Sequence, residues 1–383
     1  MELERSAEDR AFEHAVRAFI DRHWGHGPEA ARATAPRPSA VAERAWFDAL
    51  VAQGWSVPHW PVAHGGTGWR AAERYLWERE TARAQTPRLD PAGADVVGPL
   101  LCALGTPEQQ RAHLPRIREA RVRWCLALDA DTDVVRTADH RLRGELPAVP
   151  GAGGADWMLC RVRLPEAADR QCLYLVALEA PGVRRTPVAG LDGRAGPATV
   201  TLEDVAAGAD RAVAPARSAD DCLALLASRP EARPMVSARL SVDAGRLRAL
   251  AETTASGHGG ALAGEADFAR RLAELELDLA GLNALELRRL AAEDRGSPED
   301  VPAAALALRR QDLRARIAEL AVAALGYYGL AFPDPRMIDN EGPIGHDYAL
   351  TAIAGMLRSR AAEPGQGISE THKNTLARSV LGV

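Results

Sequence analysis

The residue types able to do chemistry are scattered along this chain, and few stand at the spacing a metal or a reaction would need. Asp129, Asp131 and Asp133 begin like a calcium loop, but Val134 stands where the sharp turn needs glycine and His140 where a bidentate glutamate belongs. A solvated acidic turn is the expected reading. His23 and His26 flank Trp24 with no carboxylate or cysteine at ligand spacing, and no GxSxG nucleophile elbow occurs. PGAGGADW (150–157) is glycine-rich but leads into a strand pattern and opens no helix, so a hairpin connection suits it better than a phosphate cradle. The five cysteines, Cys102, Cys125, Cys160, Cys172 and Cys222, are odd in number and have no CxxC pair. They read as buried small hydrophobes, with neither a disulfide framework nor a zinc site. GWSVPHWPVAHGGTGW (54–69) holds three of the eight tryptophans. Glycines beside aromatics can line a ligand cleft or simply pack a turn, and both readings stand.

The elements that must position these residues follow from periodicity. Over the first 120 or so residues, apolar positions recur at helical spacing: Phe12, Val16, Phe19 and Ile20 in 7–21, Trp46, Leu50 and Val51 in 41–53, then Leu76 and Trp77. Thr106 before Pro107 and Glu108 is a helix start. From about 121 to 215 the period changes, and VRWCLAL (122–128), DWMLCRVRL (156–164) and QCLYLVAL (171–178) are strand-length runs bounded by Gly, Pro and Asp. Helical patterns then return. One stripe carries Leu272, Leu275, Leu279, Leu282 and Leu290, and a second carries Leu308, Leu313, Ile317, Leu320 and Leu325, as in two long antiparallel bundle helices. Helices over 348–360 and 369–381 are predicted to close the chain, the last capped by Ser369.

The 383 residues are 47% hydrophobic and 26% charged, enough for two or three domains. With 47 basic against 52 acidic residues the net charge is −5, which sets nucleic acid and anionic membrane surfaces aside as partners. Only Lys373 among the basic residues is lysine, a bias that a GC-rich coding sequence produces by itself. No window approaches roughly 18 consecutive apolar residues, and MELERSAEDRAFEH lacks the features of a signal peptide. A cytoplasmic protein without a membrane span is expected.

Several segments, in order, resemble the acyl-CoA dehydrogenase superfamily over essentially the whole chain. GWSVPHWPVAHGGTGW is similar to that family's GW-x-x-P-x-WP-x-x-x-GG-x-GW loop, and VGPLLCALGTPEQQRAHLPRI (97–117) to its GP-x-x-x-x-x-GT-x-x-Q-x-x-x-LP-x-I segment. ADWMLCRVR (155–163), PGVRRTPVAGLDG (181–193) and SETHKNTLARSVLG (369–382) resemble two of its strand segments and its closing helix. RRLAELELDLAGLNALELRRLAA and ALGYYGL…NEGPIG (324–345) resemble the large-subunit type of dicarboxylyl- or steroid-side-chain CoA dehydrogenases. The resemblance implies an α+β chain: an N-terminal helical domain (1–120), a central antiparallel β-barrel (121–218) and a C-terminal four-helix bundle (219–383) that oligomerises. It also implies FAD between barrel, bundle and a neighbouring subunit, and a glutamate that takes the α-proton of an acyl-CoA while hydride passes to the flavin.

At those points this sequence departs from the family. The two positions of the family's base fall on Gln366 and on Ala238, just before Arg239, and neither glutamine nor alanine accepts a proton. Glu363 or Glu370 would have to shift by several ångström to substitute. Gly367 and Glu370 are the positions the resemblance offers for cofactor contact. Where the family runs SEP-x-AGSDL against the flavin, this chain reads LALDADTDVVRT (126–137). The following insert shortens to RGELPAVPGAGG, and ASGHGGALAG (255–264) lacks the arginine that reaches a neighbour's FAD. Three readings stay open. The first is a flavin-poor subunit of a hetero-oligomeric acyl-CoA dehydrogenase, its partner supplying FAD and base through the bundle. The others are a fold repurposed for flavin-independent thioester chemistry, and an FAD enzyme with a relocated base.

Overall fold

Ser6 caps the first helix reciprocally, its hydroxyl accepting from the Asp9 N–H while Asp9 accepts from the Ser6 N–H, and helix α1 (Ala7–His23) follows. The computed structural model describes residues 6–25, 39–129, 131–165, 170–190, 195–228, 235–257, 259–295, 303–330, 349–360, 373–374 and 376–378. α1 buries Val16, Phe19 and Ile20 on the stripe its spacing predicts, and α2 (Ala40–Gln53) buries Trp46 and Leu50. α2 stops at Gly54, whose φ of 75° is left-handed and costs glycine little.

α3 (Ala71–Arg83) packs on α1 through a four-charge network whose two carboxylates, Glu13 and Glu80, are buried. Arg17 Nε donates to Glu80 at 2.8 Å and Arg79 Nη2 to Glu13 at 2.8 Å, so each carboxylate serves both helices. The loop 54–69 between α2 and α3 turns on Trp60, whose Nε1 donates to Ala94 O at 2.8 Å. Gly66 and Gly98 press against it, since a Cβ on either would fall within 2 Å of Trp60 atoms. Of the two readings this loop allowed, packing accounts for Gly66.

A π-helical turn (Ala92–Val97) runs into α4 (Gly98–Leu104), and α5 (Pro107–Arg118) begins with the expected Thr106 cap, completed by Gln109. Asp90 joins this helical part to the sheet. Its Oδ2 accepts from Gly93 N at 3.0 Å and from Trp124 N at 2.8 Å, and burial pushes its carboxyl up against the pull of those donors.

Eight strands form one sheet: β1 (Trp124–Ala127), β2 (Val135–Arg136), β3 (Arg141–Val149), β4 (Trp157–Leu164), β5 (Arg170–Ala177), β6 (Val183–Ala189), β7 (Ala195–Ala206) and β8 (Ala212–Val213). They lie in the order β6-β7-β3-β2-β4-β5-β8, with β1 on β4. The antiparallel expectation holds for most of the ladder, but β1 and β2 run parallel to β4, so the sheet is mixed. The chain reaches β4 from β1 only after crossing through the β2–β3 hairpin, and such a crossover leaves the flanking strands parallel. β1 is apolar throughout, and β4 and β5 bury apolar side chains on both faces, because both faces are covered. Trp124, Leu126, Leu159 and Leu173 face the N-terminal helices and α6 (Ala219–Ser228), while Cys125, Met158, Cys160 and Tyr174 face the sheet's own interior. Cys125, Cys160, Cys172 and Cys222 are buried and form no disulfide, as expected of small hydrophobes.

The bundle contains α7 (Ser237–Thr253), α8 (Ala266–Asp294), α9 (Ala303–Leu325) and α10 (Ala349–Ser359). α9 touches the other three, so its burial spreads around the helix: Leu306, Leu313, Ile317, Leu320 and Leu325 are buried, whereas Leu308, expected on the stripe, is only half-buried. No helix among the described residues is long and apolar enough to cross a membrane.

Candidate functional site

The first turn of α7 carries Ala238, one of the two positions at which a catalytic base was sought, and a polar assembly inside the bundle fixes that turn. A helix leaves its first N–H groups without intrahelical partners. Here the cap comes from 49 residues away: Glu286 of α8 accepts from Ser237 N at 3.2 Å, from Ser237 Oγ at 2.6 Å, and from Val236 N at 3.2 Å. Arg310 of α9 supplies the counter-charge, its Nη2 at 3.1 Å from the same carboxylate. Arg74 pairs with Glu293, and Tyr75 Oη donates to Asn283 at 3.3 Å, tying α3 to the same stretch of α8.

From this anchored turn, Arg239 reaches back to the N-terminal helices, where Nη2 donates to Thr86 O at 3.3 Å. It enters a small cavity of about 50 Å³ lined among others by Ser56, His59, Glu78, Arg88 and Asp95. Arg88 Nη2 lies 3.1 Å from Asp95 Oδ2, and His59 Nε2 lies 3.6 Å from the other oxygen of Asp95 and 3.1 Å from Ala94 O. Burial pushes the Arg239 guanidinium down, against the pull of Glu78. One turn further along α7, Asp243 is half exposed with Arg246 Nη1 at 3.4 Å. The surrounding protein, by desolvation, pushes its carboxyl up against the pull of Arg246, Arg239 and Arg314.

The other base position does not meet this turn in the described residues: Gln366, Gly367, Glu370 and Glu363 all lie outside them, as does His26. Asp129, Asp131 and Asp133 are exposed, and among the described residues no group of three or more His, Cys, Asp or Glu could hold a metal.

The segments offered for flavin contact are built into the sheet. Thr132 Oγ1 accepts from Val134 N at 3.2 Å, and Val134 is fully buried. The N–H groups of Ala152, Gly153, Gly154 and Asp156 donate to Val149, Gly196, Gly151 and Arg123 carbonyls. Trp157 stacks on Trp124 with centroids 5.6 Å apart, and Arg211 covers it at 5.0 Å. His113 meets both rings edge-on, and burial drops its pKa to about 4. In the 255–264 stretch, Ala255 and Ala261 pair in an isolated antiparallel bridge.

Glu286 and the cavity around Ser56, His59 and Asp95 were not singled out by the sequence. For Glu286 a signal exists, because it falls on the apolar stripe of α8 between Leu282 and Leu290. A carboxylate on an otherwise apolar face must meet a partner across the interface.

Helices, a central mixed sheet and a helical bundle, with the bundle's first turn facing the N-terminal helices, define the class of the acyl-CoA dehydrogenase fold. Residues 6–121 match the model for the acyl-CoA dehydrogenase N-terminal domain and residues 231–381 that for the C-terminal domain, and the chain belongs to this family. It is 33% identical over 185 residues to the acyl-CoA dehydrogenase IpdE1 of Mycobacterium tuberculosis, covering 44% of this chain and 48% of that protein. With IpdE1 of Mycolicibacterium smegmatis it shares 31% over 175 residues, covering 39% and 45%. The matched region thus spans about half the length of these curated relatives. In fold, the chain is similar to the ChsE4-ChsE5 complex from Mycobacterium tuberculosis, with a TM-score of 0.73 at 18% identity, covering 100% of this chain and 99% of that one. A Tcur3481-Tcur3483 steroid ACAD variant gives 0.73 at 18%, covering 98% and 99%, and butyryl-CoA dehydrogenase from Megasphaera elsdenii gives 0.68 at 14%, covering 100% of both chains.

Proposed function

We propose that this chain is a flavin-poor subunit of a hetero-oligomeric acyl-CoA dehydrogenase acting on a lipid or steroid acyl-CoA, with FAD and the catalytic base supplied by a partner of the same fold. The observation that carries this reading is Ala238. The cap from Glu286 holds the first turn of α7 in place, and the side chain it presents at the family's base position is a methyl group. A group without a lone pair takes no proton.

The fit to FAD is poor for the same kind of reason. The amides of Val134, Ala152, Gly153, Gly154 and Asp156, in the segments that would have to meet a flavin's polar edge, already donate within the chain. Freeing each would cost about 1–3 kcal/mol. ChsE4-ChsE5 and Tcur3481-Tcur3483 are each complexes of two named chains, which supports a paired assembly. So does the apolar patch at the end of α9, where Tyr327, Tyr328 and Leu330 are exposed on the bundle.

Purification of the chain alone tests this. The protein is expected to be colourless and inactive with an artificial electron acceptor, and to co-purify as a yellow, active assembly when expressed with an acyl-CoA dehydrogenase partner subunit. A yellow, active assembly of this chain alone overturns the proposal.

A further inference from the structure

Arg239 and Ser56 share an unexplained property: each puts a buried polar atom without a hydrogen-bond partner on the wall of the same cavity. Ser56 is only 7% exposed, and its Oγ has no partner. Arg239 Nε is likewise buried and unpartnered, and among the described residues the guanidinium's hydrogen bond, through Nη2 to Thr86 O, is long at 3.3 Å. A guanidinium carries five N–H donors in a planar fork. Most of those donors therefore remain to be filled.

The protein's own carboxylates do not fill them. Asp95 is engaged by Arg88 at 3.1 Å and faces His59 at 3.6 Å. Glu78 acts on Arg239 through space, and among the described residues no ion pair joins the two. Two arginines and two acids balance the formal charge of the wall, so an oxygen acceptor entering it meets donors without a large net field. About 50 Å³ of space accommodates a few waters or one group of carboxylate or amide size. The wall is also preorganised, because Glu286 fixes the turn from which Arg239 extends.

We propose that this cavity is a binding subsite for a ligand oxygen acceptor, a carboxylate or amide-type carbonyl, held by the Arg239 guanidinium and the Ser56 hydroxyl. This is independent of whether the chain carries a flavin.

Ligand-observed NMR titration of the full chain with acetate and with acetamide tests it. Saturable binding of at least one probe is expected. It should weaken on the order of tenfold in Arg239→Met, as loss of a charge-assisted contact implies, and by a smaller factor in Ser56→Ala. The exposed-site variant Arg111→Ala should bind as the parent does. Tighter acetate binding assigns the subsite to carboxylates, and tighter acetamide binding assigns it to carbonyls. No saturable binding of either probe, or binding unchanged in both cavity variants, overturns the proposal and leaves the cavity to water. Ser56→Ala removes a single buried oxygen, so it remains informative should Arg239→Met fail to fold.

Discussion

Glu286 Oε2 and Ser237 Oγ lie 2.6 Å apart across the bundle, and this contact sets where α7 begins. The carboxylate is completely buried and relies on Arg310 for its charge and on the first N–H groups of α7 for its remaining lone pairs. Glu286→Ala would leave Arg310 buried without its anion and Ser237 without its acceptor. Removing one member of a buried pair costs about 3–5 kcal/mol. Urea unfolding should show a loss of that size for Glu286→Ala and a smaller one for Glu286→Gln, which keeps an acceptor. An unchanged midpoint in both variants would refute the capping role.

Because α7 is anchored in this way, a carboxylate placed at Ala238 would sit at the family's base position without further rearrangement. A base alone does not make a dehydrogenase when the hydride acceptor has no site. Ala238→Glu and Gln366→Glu, singly or together, are expected to give no turnover with an acyl-CoA and an artificial acceptor in the chain alone. Measurable turnover would contradict the flavin-poor reading.

Acid should reveal His113. Its pKa is about 4 in the fold, because burial disfavours the imidazolium, against about 6.5 when unfolded. The unfolded chain therefore binds the extra proton between those values, and stability falls as pH drops from about 6.5 to 4. The full loss is on the order of 3 kcal/mol, reached below pH 4. The carboxyl of Glu80, whose ordinary pKa is lowered by Arg17 and Arg79 against the opposing effect of burial, loses stability in the same direction in acid. The comparison must therefore be differential: His113→Phe, which keeps a ring between Trp124 and Trp157, should be less sensitive than the parent between pH 6.5 and 4. Parallel pH profiles for the two proteins would show that His113 is not the group responsible.

Trp60 is held between two glycines, which makes a steric prediction. A Cβ at Gly98 would stand 1.9 Å from Trp60 Cζ2, and Trp60 is buried with its Nε1 bound to Ala94 O. Overpacking of this kind costs typically about 1–3 kcal/mol. Gly98→Ala should lower the melting temperature and shift tryptophan fluorescence, whereas Gly245→Ala, which meets nothing within 4 Å on an α7 turn, should be neutral or stabilising. Equal effects from the two substitutions would show that the contact with Trp60 is not limiting.

What the sequence made legible and what it hid divide along physical lines. Helices with one apolar stripe were readable because a single interface buries them, as in α1, whose Val16, Phe19 and Ile20 are all buried. α9 was readable as a helix but not in its facing, since three neighbours bury it and no single stripe survives. β2 and β3 escaped notice because β2 has two residues, and β3 carries Gly144 and Pro147 with pairing shifts around them. The resemblance named Ala238 and Arg239, whereas the residues that pack around them in the fold were not readable from the sequence. Glu286 is 49 residues away, and Ser56 and Asp95 stand in another domain, so only the packed fold brings them to α7.

The exposed end of α9 is where the proposed assembly can be broken without touching either cavity or cap. Tyr327 is 93% exposed and Leu330 59%, on the turn that follows α9. Large apolar side chains in such positions stabilise a partner complex far more than the free chain, because only association removes them from water. Tyr327→Asp with Leu330→Asp should leave the thermal stability of the isolated chain within about 0.5 kcal/mol, as for most surface changes. The same variant should lose co-purification of the partner and, with it, the flavin absorbance and activity of the assembly. Full retention of the partner in that variant would move the interface elsewhere on the bundle.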